Sequence, residues 1–264
     1  MAIQPKRSRK LLHKLLALDV SFGPPQVEAI PVACPRLPEE FQLARVAVVA
    51  DVHLPDTLVN TDRLISCVAA QRPDAIFLPG DLTNSYTDFD AAGLKRLAVG
   101  LAAIAPCFAI PGNHEMRLER EPRYRKILES CGVRYMSDSY ADWEKDGRTL
   151  RLYGMKERRP APLEVENQPA IVLAHRPEYL EYYRRARWDL VVCGHAHGGQ
   201  VRVGNRSLYA PGQGFLPTYT NGVYTAGDTT MVVSRGLGNS SIPWRVGNRP
   251  HLPVLILYRR PENA

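Results

Sequence analysis

Short, wholly apolar runs alternate with amphipathic stretches along the chain from residue 45 onward. A run that is apolar at every position predicts a strand buried on both faces, and apolar residues repeated every three to four positions predict a helix with one buried face. Strands and helices in alternation are typical of a largely parallel sheet. The first half predicts strands at 46–50, 75–78 and 108–110, and helices at 64–70, 89–104 and 124–129.

The second half of the sequence is richer in predicted strands. Asp146 and Gly147 lie between two strand-like runs and predict the turn of a β-hairpin. One further helix is predicted at 177–186. This order fits an α/β protein in which two sheets pack together with helices outside. The remaining strands are predicted at 133–136, 171–174, 190–193, 201–203, 231–234 and 254–258.

The length of 264 residues and the hydrophobic content of 45% are enough for one large core. We therefore predict a single catalytic domain over 45–264. It is preceded, over 1–44, by a basic segment and a proline-rich extended arm at 24–38. The longest apolar runs, at 46–50 and 170–174, are far shorter than the roughly 20 residues that span a bilayer, so no membrane helix is expected.

The chain carries a net charge of +7, which favours anionic partners: phosphorylated small molecules, nucleic acid or an acidic membrane. No groove-reading motif supports nucleic acid. The basic start at 6–18 has two interpretations, a short amphipathic helix lying on an acidic membrane, or a helix that is folded onto the domain or frayed. Five scattered cysteines and the lack of a signal peptide favour reduced thiols and a cytoplasmic protein, peripheral to a membrane under the first interpretation.

Polar residues able to bind metals follow the apolar runs, at the strand ends where open α/β sheets bind their ligands. Each segment is weak evidence alone, because a strand-end histidine is commonly a hydrogen-bonded structural residue. The histidines are concentrated, however: five of the seven, all except His13 and His251, lie in these segments. Their donors suit Mn, Fe or Zn, and a carboxylate such as Asp81 can bridge two ions. The segments are Asp51-Val52-His53, Gly80-Asp81, Gly112-Asn113-His114-Glu115, Ala174-His175 and Gly194-His195-Ala196-His197-Gly198.

These five segments, in this order, resemble the calcineurin-like metallophosphoesterase superfamily, whose pattern is D-x-H, G-D, G-N-H-[DE], H and G-H-x-H. The run at 194–200, with the sequences at 233–238 and 248–250, is similar to a bacterial branch that has GHxHGGQ and SRGLG motifs and often carries amino-terminal membrane helices. The resemblance implies the metallo-dependent phosphatase fold, a four-layer α/β/β/α sandwich of two mixed sheets flanked by helices.

The resemblance also implies roles for these side chains. Seven of them would hold two metal ions, with Asp81 bridging the ions and a hydroxide between them acting as the nucleophile. His114 would be catalytic, either protonating the leaving oxygen or stabilising the transition state, and structural support of Asn113 is the alternative. The first ion would be held by Asp51, His53, Asp81 and His197, and the second by Asp81, Asn113, His175 and His195.

The implied function is a dinuclear metal-dependent phosphohydrolase, a phosphodiesterase or phosphomonoesterase with Mn, Fe or Zn as cofactor. Two alternatives stay open. One is a pyrophosphatase acting on a nucleotide-linked lipid precursor such as UDP-2,3-diacylglucosamine, and the other is a binding module on the same fold without catalysis. Substrate selection is expected in the loops at 117–123, 158–165 and 213–224, and Arg117 and Arg235 are candidates for phosphate contacts.

Overall fold

The computed structural model describes residues 24–156, 169–203, 206–239 and 245–259. Its helices are α1 (Thr61–Ala70), α2 (Ala91–Ala102), α3 (Glu121–Ser130) and α4 (Leu180–Arg185). Short 3₁₀ helices lie at Glu39–Phe41, Arg117–Glu119, Pro177–Tyr179 and His197–Gly199. Its strands are β1 (Gln26–Ala33), β2 (Arg45–Val48), β3 (Ala75–Leu78), β4 (Cys107–Ala109), β5 (Arg134–Tyr135), β6 (Ser139–Lys145), β7 (Arg148–Gly154), β8 (Ile171–Leu173), β9 (Leu190–Cys193), β10 (Arg202–Val203), β11 (Arg206–Ser207), β12 (Tyr209–Ala210), β13 (Gly214–Phe215), β14 (Gly222–Ala226), β15 (Thr229–Val233) and β16 (His251–Tyr258).

The first six-stranded sheet has the strand order β1-β16-β2-β3-β4-β5. Its neighbouring strands are parallel except that β16 runs antiparallel to β2. Helices α1, α2 and α3 cover its outer face, where Leu64, Leu97 and Tyr124 share a buried cluster with Ile76 and Leu78. Because β3 is buried on both faces, all four of its residues are apolar.

The second six-stranded sheet has the strand order β14-β15-β9-β8-β7-β6. Its central strands are parallel, and the pairs β14/β15 and β6/β7 at its edges are antiparallel. Helix α4 packs on the outer face, where Leu180 and Tyr183 join a buried cluster with Val172, Val191 and Met231.

The two sheets pack face to face through a third buried cluster. Three aromatic side chains mark its position: the Phe77 ring meets Phe108 and Trp143 edge-on, at 6.0 Å between ring centroids in both cases. Phe77 and Phe108 belong to the first sheet and Trp143 to the second. The layers are therefore helix, sheet, sheet and helix, which confirms the predicted four-layer α/β/β/α sandwich.

Side-chain caps fix where two of the helices begin. The Asn60 side chain accepts hydrogen bonds from the backbone N–H groups of Asp62 and Arg63, so α1 begins at Thr61, three residues before the predicted start. Asp90 accepts from the backbone N–H of Gly93 and starts α2 in the same way. The apolar period alone shows only the buried turns, which is why it placed the first start late.

The proline-rich segment predicted as an extended arm contains β1, which pairs in parallel with β16 along its whole length. β1 is the edge strand of its sheet. An edge strand tolerates Pro31 because one of its sides has no neighbour to bond. The sheet therefore begins at Gln26, before residue 45, where the sequence predicts the domain to start. The predicted helix at 6–18 and the loop at 158–165 lie outside the described residues.

The hairpin, the helix at 177–186 and the cysteines were also predicted from the sequence. Asp146 and Gly147 have φ angles of +49° and +78° and join β6 to β7, which confirms the predicted hairpin. The predicted helix at 177–186 is a 3₁₀ turn followed by α4. Cys193 is buried in the core, and all five cysteines are free thiols. Within the described ranges, no helix has the length and apolarity needed to cross a membrane.

Candidate metal centre

The two sheets bring all the predicted ligands to one place, at the carboxyl ends of their central strands. Asp51, Asp81 and Asn113 follow β2, β3 and β4 of the first sheet, and His175 and His195 follow β8 and β9 of the second. His53, His114 and His197 lie in the loops that follow β2, β4 and β9. Every one of these eight side chains is buried. Neither sheet alone could form this cluster, because each supplies only part of it.

The backbone turns sharply at the ligands. Five of the seven predicted ligands have φ between +48° and +69°, a region that residues other than glycine rarely occupy. Each such residue costs about 1–3 kcal/mol, so the surrounding structure must hold it in place. The five are Asp51, His53, Asp81, His195 and His197.

The loop at 236–238 provides part of that support, and it accounts for the SRGLG sequence. The backbone N–H groups of Leu237 and Gly238 donate to the carbonyl oxygen of Asp51 at 3.2 and 2.7 Å. Gly238 lies so close that a Cβ there would be 2.1 Å from the carbonyl oxygen of Val52. At Gly236 a Cβ would be 3.0 Å from Asp51 Oδ2, so the loop packs against both the backbone and the side chain of the first ligand segment.

Three of the side chains, Asp51, His53 and His197, form the first donor group. The Nε2 atoms of His53 and His197 are 3.1 Å apart, and His197 Nε2 is 3.9 Å from Asp51 Oδ1. Two nitrogens bound to one ion at about 2.0–2.1 Å are about 3 Å apart, so the spacing of the two rings fits a shared cation.

The second donor group consists of Asp81, His175 and His195. His175 Nε2 lies 3.1 Å from Asp81 Oδ2 and 3.1 Å from His195 Nδ1. On its other side, His175 Nδ1 donates to the carbonyl oxygen of Pro79 at 2.8 Å. That bond places a proton on Nδ1 and directs Nε2 at Asp81, as in many metal-binding histidines. Burial opposes a charge on this ring, but the charge and hydrogen bond of Asp81 raise the pKa of His175 to about 10, so Nε2 must lose its proton to bind a cation.

Asp81 belongs to the second group and also faces the first, and with His53 and His114 it forms a third set of donors close enough to share a cation. Its Oδ2 atom is 3.9 Å from His53 Nε2 in the first group and 3.1 Å from His175 Nε2 in the second. Its Oδ1 atom accepts the backbone N–H of His114 at 2.8 Å, which fixes the orientation of the carboxylate. Asn113 Oδ1 is buried and has no hydrogen-bond partner among the described residues. A buried orphan oxygen beside these donors fits the remaining ligand of a cation.

Burial and neighbouring charges set the protonation states. Burial holds the pKa of His53 at about 3, and it holds the pKa of His195 and His197 well below the ordinary value. Burial alone would raise the pKa of Asp81, but the nearby histidines, His175 above all, lower it well below its usual range. At neutral pH Asp81 is therefore a carboxylate and His53, His195 and His197 are neutral imidazoles, the forms that bind cations, whereas burial raises the pKa of Asp51 to about 7.

His114 is oriented by a hydrogen bond to its Nδ1 atom. Nδ1 accepts the backbone N–H of Ser85 at 2.9 Å, so the proton of the neutral ring is on Nε2. Nε2 is 4.0 Å from Asp81 Oδ2, and His114 lines the cavity in front of the centre. His114 thus presents an N–H donor to whatever occupies that cavity.

Glu115 is a buried carboxylate to which the sequence assigns no role beyond its place in the G-N-H-[DE] segment. Its two oxygens accept backbone N–H groups from Asp81, Thr83 and Gly112, each at 2.9 Å. It therefore holds the loop after β3 against the loop after β4. Two ligand segments share this anchor. The sign of this role in the sequence is the acidic residue that directly follows Asn113 and His114.

Arg245 was missed altogether, because nothing in sequence distinguishes a buried arginine from a surface one. Its side chain is 1% exposed. Its guanidinium donates to the carbonyl oxygens of Arg235, at 2.6 Å, and of Gly238, and lies 3.2 Å from His197 Nδ1. It links the loop at 236–238 to a predicted ligand.

We expect Arg245→Met to lower the free energy of unfolding by about 3 kcal/mol, because two buried carbonyl oxygens lose their donor. Urea unfolding of the metal-loaded protein measures the change. The exposed Arg249, whose guanidinium donates to Pro24, gives the matched control Arg249→Met. Equal losses in the two variants would show that Arg245 has no special structural role.

A cavity of about 250 Å³ opens in front of the donors. Asp81, Asn113, His114, His195 and His197 form its floor, and the residues of its rim are Tyr86, Arg117, Arg176, Tyr209, Pro211 and Gly212. Arg117 lines the cavity and donates to the hydroxyl of Tyr86 at 2.9 Å. Arg235 does not line it, because its guanidinium donates to Gln26 of β1. The volume suits a phosphoryl group with part of its ester.

Known proteins of one family are similar to this chain. A family model described as calcineurin-like phosphoesterase matches residues 44–199, which include every predicted ligand. The chain is 29% identical to Phosphodiesterase YaeI of Escherichia coli (strain K12) over 228 residues, covering 81% of this chain and 82% of the relative. It is 26% identical to Transmembrane protein with metallophosphoesterase domain of Danio rerio, covering 89% of this chain and 57% of the relative.

The chain thus spans a little over half of the Danio rerio relative. Among solved structures, the protein TT1561 of Thermus thermophilus superposes with a TM-score of 0.49 at 13% identity. That match covers 74% of this chain and 91% of the other.

Proposed function

The chain belongs to the calcineurin-like phosphoesterase family, and from this premise we propose that it hydrolyses phosphodiesters or phosphomonoesters at a centre of two metal ions. The family membership makes it a metal-dependent phosphoesterase. The observation that carries the two-ion proposal is the position of Asp81, which belongs to the second donor group and whose Oδ2 atom also lies 3.9 Å from His53 Nε2 of the first. A single ion would leave one of the two groups unused.

The donor set indicates which ions fit. Imidazole nitrogens with carboxylate and amide oxygens suit Mn, Fe or Zn. Asp51, His53 and His197 would hold one ion, Asn113, His175 and His195 the other, and Asp81 would bind both. Bound there, the two ions supply Lewis-acid stabilisation of the phosphoryl oxygens and a water that is deprotonated near neutral pH.

The groups around the proposed ions orient the ligands and a hydrogen-bond donor for the substrate. The Pro79 carbonyl and the backbone N–H of His195 fix the orientations of His175 and Asp51, which accepts that N–H at 2.9 Å. His114 aims its Nε2–H into the cavity, where it can donate to the leaving oxygen or to a phosphoryl oxygen. Donors fixed before the reaction stabilise the developing charge without reorganisation, and this is the principal source of rate enhancement.

The residues of the cavity rim favour a phosphodiester, in which two oxygens of the phosphate carry organic groups. Arg117 and Arg176 supply positive charge at the rim, and Tyr86 and Tyr209 supply flat apolar surface for an organic group. The relative from Escherichia coli that covers most of this chain is named a phosphodiesterase, which supports the same preference. We therefore place phosphodiesters first and phosphomonoesters second.

The direct test is hydrolysis by the purified protein, stripped of metal and reloaded with Mn. A panel should include an aryl phosphodiester, an aryl phosphomonoester and a nucleotide with a pyrophosphate-linked lipid. We expect turnover only after reloading and fastest with the diester. A protein that binds the metal and hydrolyses none of the three would favour a binding module, and selective cleavage of the pyrophosphate would favour the lipid-precursor alternative.

Metal removal should also destabilise the fold. A cation that binds only the folded chain stabilises it. At a free concentration 100 times its dissociation constant, it adds about 2.7 kcal/mol to the free energy of unfolding. For a protein of this size we expect a chelator to lower Tm by about 5–10 °C. Differential scanning fluorimetry measures this, with excess Mn restoring the original Tm. An unchanged Tm after verified metal removal would contradict the expectation.

A further inference from the structure

Two large apolar side chains project from the hairpin formed by β12 and β13. Phe215 is 84% exposed and Leu216 is 74% exposed, the two highest values among the described large hydrophobic residues. Leu208 is 40% exposed and accepts the backbone N–H of Leu216 at 3.0 Å. We call these three residues the apolar knob. Exposed apolar side chains that cluster in this way commonly mark a contact surface.

The same hairpin is built into the metal centre. At Gly212, where φ is +74°, a Cβ atom would lie 2.8 Å from His195 Nε2 and 2.6 Å from Glu178 Oε1, so only glycine allows this approach. Tyr209 and Gly212 also line the cavity. Phe215 is three residues further along the chain, so its backbone lies within roughly 10 Å of Gly212.

Cross-strand pairing and a ring contact join Tyr209, which lines the cavity, to Phe215 of the apolar knob. Tyr209 is the cross-strand partner of Phe215, and their ring centroids are 5.6 Å apart. One ring therefore faces the cavity rim while its neighbour projects outward. Whatever surface the apolar knob touches is placed beside the mouth of the metal centre.

The surroundings of the apolar knob are basic. Leu216 borders a cavity of about 630 Å³ whose walls include Arg202, Arg206 and Thr218, and none of the described residues that line it is acidic. Arg206 is exposed. The whole chain carries a net charge of +7. Arg202 is half-buried and donates to Gly198 and Asn221, which leaves Arg206 as the exposed cation. An apolar insertion beside an exposed arginine is complementary to an anionic bilayer, whose surface attracts basic side chains and whose interior accepts Phe and Leu.

We propose that the apolar knob inserts into an anionic lipid bilayer and holds the mouth of the metal centre at the membrane surface. Resting on the proposed function, the substrate class is then a phosphodiester carried by a lipid headgroup in that bilayer. The apolar residues provide the insertion, Arg206 and the net positive charge provide the preference for anionic lipid, and the hairpin sets the distance to the donors.

The test is co-sedimentation of the full chain with vesicles of phosphatidylcholine and phosphatidylglycerol in equal parts, and with vesicles of phosphatidylcholine alone. The test variant is Phe215→Ser/Leu216→Ser. The matched control is Leu43→Ser/Val99→Ser, which removes two apolar side chains that are 64% and 50% exposed elsewhere. We expect the wild-type protein and the control to pellet with anionic vesicles, and the test variant to lose about tenfold or more in partition coefficient.

A second arm addresses the substrate. Hydrolysis of a lipid with an aryl phosphodiester headgroup, embedded in the anionic vesicles, should fall about tenfold in the test variant and stay unchanged in the control. Turnover of a water-soluble aryl diester by the wild-type protein tests the proposed function independently. If that turnover is absent while vesicle binding depends on the apolar knob, the proposed function fails and the docking surface stands.

Three results would overturn the docking proposal. The wild-type protein could remain in the supernatant with anionic vesicles. The test variant could pellet as well as the wild-type protein, which would assign binding to another segment. The wild-type protein could instead form a dimer in sedimentation velocity that the test variant loses, without binding vesicles, and the apolar knob would then be the contact for a second copy of the chain.

Discussion

Asp81→Asn is expected to lower kcat/KM for an aryl phosphodiester by about 1000-fold or more. The amide has the same shape and can still accept the backbone N–H of His114 at Oδ1. It removes the negative charge, however, and can place an N–H₂ group where Oδ2 now faces His53 and His175. Two cations that share one carboxylate lose their common ligand, and the electrostatic stabilisation of the transition state falls with them.

Metal analysis separates this effect from simple unfolding. We expect Asp81→Asn to bind fewer metal ions per chain than the wild-type protein while its circular dichroism stays native. Asp90→Asn is the matched control, because Asp90 caps α2 and an asparagine can cap equally well. An Asp81→Asn protein with full metal content and wild-type turnover would remove the basis for a bridging ligand.

His114→Ala is expected to retain its metal and to lose about 100-fold to 10,000-fold in kcat. The ring lines the cavity but belongs to neither proposed set of ligands, and its Nε2–H is the donor that the hydrogen bond from Ser85 preserves. Its removal takes away a transition-state contact and leaves the ions in place. Single-turnover kinetics with measured metal content tests this. An unimpaired kcat would contradict a catalytic role for His114.

The leaving group distinguishes the two roles open to His114. If Nε2–H protonates the leaving oxygen, the loss in His114→Ala should be much larger for an alkyl ester, which leaves poorly, than for a nitrophenyl ester. If Nε2–H stabilises a phosphoryl oxygen, the two esters should lose equally. Loss of metal from the variant would instead favour the structural alternative, in which His114 supports Asn113.

The strands that carry the ligands could be predicted because they are buried on both faces. β3 and β9 are apolar at every position, and the polar residues that follow them stand out. β1 was not recognised as a strand, since it is an edge strand whose proline and alternating exposure give no continuous apolar run. Single-sequence patterns detect the centre of a sheet better than its edge.

The candidate site could be predicted as a set of residues, but its internal geometry could not. Residues two apart on a strand point to opposite faces, so His195 and His197 converge only because the chain turns at both of them, with φ of +69° and +48°. The turn directs His195 Nδ1 to one donor group and His197 Nε2 to the other. Backbone conformation at a non-glycine residue leaves no signal in the sequence.

The supporting residues were the least visible. Most partners of Glu115 and Arg245 are backbone atoms, which are the same in every residue, so no side-chain pattern marks them. Their roles depend on which loops meet, and that follows only from the packing of the two sheets.

Anomalous diffraction from crystals grown with Mn tests the two-ion centre most directly. We expect two anomalous peaks per chain, about 3.5–4 Å apart and both in contact with Asp81. One should also be bound by Asp51, His53 and His197, and the other by Asn113, His175 and His195. A single peak, or two peaks that do not share Asp81, would contradict the two-ion centre.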